Sequence, residues 1–182
     1  MAIFTPAYAI WPVFAWPAPG IVFFLLAAAW SAYLAVSAAR LLRLARELPH
    51  ETNADDARIA KGMAIVSSIQ GGLILASAVV LALLGRWTWI LPVVALIVAL
   101  HFFPMPWIFR RTIDYYLGTA MLVVAAIGLF LSAQGAVVWQ TTWAVIGIGA
   151  ALVTSAYGLW IRRTAKRVLA DYAALRASAP YS

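Results

Sequence analysis

Apolar residues run along this chain in five long stretches, about 20–39, 59–84, 88–103, 113–131 and 141–161, separated by short polar or proline-bearing joints. A helix needs roughly 20 mostly apolar residues to cross the hydrocarbon core of a bilayer. The pattern therefore predicts an all-α fold: an integral membrane bundle of five transmembrane helices across residues 20–161.

The joints fit that reading. After the first stretch a basic amphipathic extension carries Arg40, Arg43 and Arg46, with Glu47 four residues beyond Arg43, until Pro49 stops it. Thr52 or Asn53 is expected to cap the second helix, with Asp55 and Asp56 in its first turn, where the helix dipole favours anions. Gly85–Arg86 predicts a tight turn, Pro92 is tolerable early in the third helix, and Pro104 with Pro106 is expected to end it. Thr112 is the expected cap of the fourth helix. Residues 162–182 form a basic tail with Arg162, Arg163, Lys166, Arg167 and Arg176, and its last residues are expected to fray.

Residues 1–19 are apolar and aromatic but interrupted by Pro6, Pro12, Pro17 and Pro19. Interior prolines remove helix hydrogen bonds, and Trp11 and Trp16 have rings that favour the headgroup level. An interfacial or re-entrant segment is expected, with a sixth short span as the alternative. The opening MAIFTPAYAIWP has neither a positive n-region nor a small-residue cleavage site and makes a poor signal peptide.

Composition agrees with a membrane solvent. The chain is 65% hydrophobic and 10% charged, with mean hydropathy +0.94, against about 25% charged in soluble domains. The absence of cysteine excludes disulfides, thiolate metal sites, iron–sulfur clusters and cysteine nucleophiles. The net charge of +7 flanks the apolar stretches. It points to anionic lipid headgroups as the partner and not to nucleic acid. If the 40–61 joint is cytoplasmic, alternation puts Arg110, Arg111 and the tail there too, and of 13 lysines and arginines only Arg86 falls opposite. The positive-inside rule then predicts N-out, C-in. The Ala-, Leu- and Arg-rich usage suggests a bacterial cytoplasmic (inner) membrane.

FRRT at 109–112 resembles IRRT at 161–164, but the interiors of the flanking stretches do not match. Positive-inside pressure explains arginine pairs at both exits.

Candidate chemistry is sparse. His101, near the end of the third stretch, is either a ligand to haem or pigment, a proton carrier, or a neutral imidazole bonded to a carbonyl freed near Pro104. Asp114 with Arg110 and Arg111 forms either an anion site, a proton relay with His101, or a helix-start acid paired with its own preceding arginines at the interface. Tyr115 and Tyr116 adjoin this cluster. Gln70, with Ser67 and Ser68, lines a polar path or makes helix–helix hydrogen bonds on a packed face. Gly147, Gly149, Ala151, Ser155 and Gly158 are expected to form a packing face inside the bundle, with a face between protomers as the alternative. There is no HExxH, GxSxG or P-loop, no carboxylate pair within a stretch and no acidic cluster for Mg²⁺. No catalytic residue, metal site or cofactor is predicted, apart from the axial-ligand reading of His101.

The stretch ALHFFPMPWIFRRTIDYYLG resembles a recurrent signature of uncharacterised bacterial small multi-span membrane proteins. In these a His-Phe-x-Pro ends one span and an aromatic–arginine turn leads to a tyrosine-bearing span. It maps onto His101, Phe102, Pro104, Arg110, Tyr115 and Tyr116, and implies a membrane-embedded helical fold and no particular activity. The expected role is a non-enzymatic accessory or assembly subunit, with a membrane-protein partner or a second copy. The alternatives are a small transporter or channel using Gln70, His101 and Asp114, and a haem- or pigment-binding subunit using His101.

Overall fold

The computed structural model describes residues 3–46, 54–135 and 137–178. The described residues form helices α1 (Phe4–Ala9), α2 (Trp11–Ala15), α3 (Pro17–Ala45), α4 (Ala54–Leu83), α5 (Trp87–Phe102), α6 (Met105–Phe109), α7 (Ile113–Gln134) and α8 (Trp139–Ser178). Five helical segments are long and apolar enough to cross a membrane: Pro17–Ala45, Asp55–Leu83, Trp87–Phe109, Ile113–Gln134 and Trp139–Ala174. The expected cap at Thr52 or Asn53, the Arg43–Glu47 pair and the stop at Pro49 lie outside the described residues.

The centre of the bundle is built by α5, α7 and α8. Leu91, Ala95, Ala99, Met121, Ala125, Ile146 and Ala150 form its main buried cluster. Most of these are alanines, because membrane helices gain stability from close backbone approach rather than from expelling water. Gly118 shows how tight the contact is: a Cβ there would sit 3.0 Å from the Phe102 Cβ and 3.4 Å from the Ala99 carbonyl oxygen. The glycines of α8 meet neighbouring helices on two sides: Gly147 and Gly158, about three turns apart, share one face, and Gly149 lies on another. A Cβ at Gly147 would lie 2.5 Å from the Tyr8 carbonyl oxygen, at Gly149 2.6 Å from Val124 and at Gly158 2.6 Å from Leu34.

The proline-rich lead-in folds as α1 and α2, inserted between α3 and α8. Thr5 is 1% exposed and its hydroxyl donates to Thr154 Oγ1 at 2.9 Å, while the Thr154 hydroxyl is turned to the Ala150 carbonyl at 2.9 Å. Thr154 lies roughly 22 Å along α8 at 1.5 Å per residue. From there the chain runs back toward the start of α8, where Trp11 packs edge-on against Trp143 with centroids 4.7 Å apart. Pro12 and Pro17 occupy the first turns of α2 and α3, where a missing N–H leaves no partner unsatisfied.

One local expectation holds with an addition and one is corrected. The third helix ends at Phe102, just before Pro104, as expected, but a short helix follows at once and carries the apolar segment on to Phe109: Pro104 caps α6, Pro106 lies in its first turn, and the Trp107 N–H bonds the Pro104 carbonyl at 3.2 Å. Proline is accepted there because first-turn N–H groups lack helical partners anyway. The segment ends at Arg110, whose φ of 54° is left-handed. Thr112 occupies the N-cap position of α7 but makes no side-chain capping bond, since its own backbone is already helical. The Gly85 turn forms as expected, with φ +67° and the Arg86 N–H closing on the Leu81 carbonyl at 2.8 Å.

Candidate functional site

The polar residues singled out above separate into two places on opposite sides of α5. The first lies where α7 begins. Asp114 is completely buried, in the first turn of α7, and neither carboxylate oxygen has a hydrogen-bond partner. Its nearest cation is Arg111, with Nε 3.8 Å from Oδ2. That distance is an ion pair but not a hydrogen bond. The Arg111 guanidinium lies over the Phe109 ring at 4.1 Å and beside Trp160 at 5.7 Å. Tyr157 on α8 stacks on Trp160 at 6.2 Å and meets Phe102 edge-on at 5.9 Å. Arg111 and Asp114 are thus held in a cage of rings contributed by α5, α6 and α8. The pair expected from sequence is present, with its acid fully buried among helices and its arginine 29% exposed. Arg110 takes no part; it turns outward at the left-handed residue.

Tyr115 and Tyr116 face away from this cluster. Tyr115 is exposed and its hydroxyl accepts a hydrogen bond from the Trp107 indole N–H at 3.0 Å, and Tyr116 is 73% exposed. Sequence reasoning missed Tyr157 and Trp160 as parts of this cluster. Their spacing of three on one helix face was the available signal.

The second place is a groove of about 330 Å³ between α4 and α5, whose lining includes Gln70 and His101. His101 and Val66 of α4 both line it, and the His101 Nδ1 is buried with no hydrogen-bond partner among the described residues, neither a carbonyl near Pro104 nor any other. His101 and Asp114 do not meet: one faces α4, the other packs toward α8. A proton relay between them has no support in this geometry. Ser67 and Ser68 are exposed and do not join Gln70 in the groove. Among the described residues, no three side chains of His, Asp or Glu come together in a way that would hold a metal ion.

Two further surfaces bear on function. None of the most apolar window of α4 is fully buried, and among the described residues this helix packs only against α5 and α6. Its outer face carries Ala60, Ala64, Ser68, Gly72 and Ala76 at four-residue spacing, all exposed. A Cβ at Gly71 or Gly72 would meet nothing within 4 Å. Elsewhere, α3 and α8 touch at Leu34 and Gly158 and enclose an apolar cleft of about 600 Å³. Arg162 lines this cleft, its Nε–H donating to the Ser37 hydroxyl at 2.7 Å and its guanidinium lying 4.9 Å from the Tyr33 ring centre.

No protein-family model, no curated protein and no solved structure matches the chain. Five helices of this length and polarity, bundled in this way, are compatible with an integral, multi-pass membrane protein.

Proposed function

We propose that this protein is a non-enzymatic accessory or assembly subunit of a membrane complex, and that α4 is the helix it offers to its partner. The observation that carries this reading is the outer face of α4. A 30-residue helix with no fully buried residue in its apolar core window has an exposed ridge of small residues that no other described helix covers. Small residues spaced by four let a second helix approach closely in lipid, where packing rather than hydrophobicity drives association. The polar groups inside the bundle support the same reading: Arg111 and Asp114 pair with each other within a ring cage, which suits holding a bundle together more than passing a solute. The transport alternative asks Gln70, His101 and Asp114 to act jointly, and the third lies apart from the first two.

The setting proposed is the bacterial cytoplasmic membrane, N-out and C-in, with anionic headgroups at the basic end. Arg40, Arg43, Arg46, Arg163, Lys166 and Arg167 are exposed around the cleft between α3 and α8, which suits such lipids.

Native mass spectrometry of gently extracted protein tests the proposal. The expected result is a stoichiometric complex, with another protein or a second copy, that Gly72→Leu and Ser68→Leu release. Ile127→Phe, on an exposed position of α7, is expected to leave it intact. A clean monomer under all extraction conditions would contradict the proposal.

A further inference from the structure

We infer that the groove between α4 and α5 binds a neutral, lipophilic molecule whose polar head carries a carbonyl or hydroxyl group. The groove holds about 330 Å³, within the roughly 300–1,000 Å³ range of small-molecule sites, which are mostly apolar with a few placed polar groups. Val66, Leu73, Leu100 and Pro104 supply apolar walls, and Gln70 and His101 are the polar residues of the lining.

Both polar groups lack what they need. His101 Nδ1 is buried and has no partner. The Gln70 side chain is half-buried and makes no hydrogen bond to any described residue. Water that would satisfy such groups in a soluble protein is absent from hydrocarbon, so unpaired polar atoms there carry a penalty that a ligand can remove. A carboxamide both donates and accepts, and Nδ1 does either according to tautomer. A carbonyl or hydroxyl on the ligand answers both. No charged side chain lines the groove, which selects a neutral head over a phosphate or an ammonium. The apolar walls select an isoprenoid or acyl tail. Access follows from the packing of α4, which among the described residues only α5 and α6 hold in place, so the groove has a wall that yields sideways into the bilayer. This inference rests on the inner face of α4 and is independent of what its outer face docks.

Two sources share this chemistry, a quinone or quinol and an acylglycerol. The test uses the full chain in phosphatidylcholine nanodiscs, titrated with decylbenzoquinone, its quinol, monoolein and phosphatidylglycerol, with thermal unfolding as the readout of binding. Saturable stabilisation by at least one of the three neutral probes is expected. His101→Leu and Gln70→Leu are expected to weaken it about tenfold each, the weight of one buried hydrogen bond. Leu73→Trp, which fills the groove with an apolar ring, is expected to abolish it, while Val123→Trp on the exposed face of α7 leaves it unchanged. Selectivity for the quinone pair assigns the site to a redox lipid, and an equal or greater response to monoolein assigns it to an acylglycerol. If the single polar variants unfold, Leu73→Trp decides the matter. Saturation by phosphatidylglycerol alone, no saturation by any probe, or undiminished binding to Leu73→Trp would overturn the inference.

Discussion

Asp114 shows how much a single residue's surroundings change its meaning. Read along the chain, it is an acid in the first turn of a helix with two arginines just before it, a common surface arrangement. In the fold it is fully buried, with Tyr157 of α8 close beside it. A buried pair contributes little over an apolar replacement, but removing one partner strands a buried charge, at a cost of about 3–5 kcal/mol. Arg111→Leu, which strands the fully buried carboxylate, is therefore expected to lower unfolding stability in detergent by about 3 kcal/mol, and Asp114→Leu by less, because the arginine it leaves is 29% exposed. The double variant is expected to recover most of that loss. Additive losses would show that the two side chains do not act as a pair. The Thr5–Thr154 bond is a smaller matter: interhelical hydrogen bonds in membrane proteins average about 0.6 kcal/mol, so Thr5→Val is expected to cost under about 1 kcal/mol in the same assay. A larger loss would mean that α1 depends on this contact to stay in place.

Helices differ sharply in how firmly the bundle holds them, and glycines report the difference. Gly118 on α7 faces Phe102 at 3.0 Å, whereas Gly72 on α4 faces open space. Gly118→Leu is expected to cost 1–3 kcal/mol or more by overpacking. Gly72→Leu is expected to change the stability of the isolated chain by less than about 0.5 kcal/mol, while still disrupting any complex formed through α4. Comparable losses at both positions, measured by thermal unfolding of the isolated chain, would show α4 to be packed from both sides. A packed face around Ser67, Ser68 and Gln70 was legible in the sequence, but the four-residue run of small residues through Ser68 and its direction were not. Hydropathy has no period that separates a helix neighbour from lipid, since both are apolar. The insertion of α1 and α2 was obscured for a related reason. Four prolines break the run, and only tertiary contact, Gly147 against Tyr8 and Thr5 against Thr154, shows what the broken segment packs on. Pro104 was legible as the stop of α5, which ends at Phe102, but not as the cap of a new helix, which Pro106 in the first turn lets begin at once.

At the scale of the whole molecule, the five long helices were readable because a bilayer imposes length and polarity on anything that crosses it. The candidate site was readable only as a set of residue types. Whether Gln70, His101 and Asp114 converge depends on helix rotation, which packing at Gly118, Gly149 and Gly158 decides. The central claim is that the chain is threaded through a bilayer with nearly all of its cations at one end. Because the chain has no cysteine, single cysteines can be placed at will and labelled without background. The most direct measurement is the accessibility of Arg43→Cys, Arg86→Cys and Arg163→Cys to a membrane-impermeant maleimide in sealed vesicles of known orientation. The account predicts that Arg43→Cys and Arg163→Cys label from the same side and Arg86→Cys from the other. Labelling of Arg43→Cys and Arg163→Cys from opposite sides would contradict it.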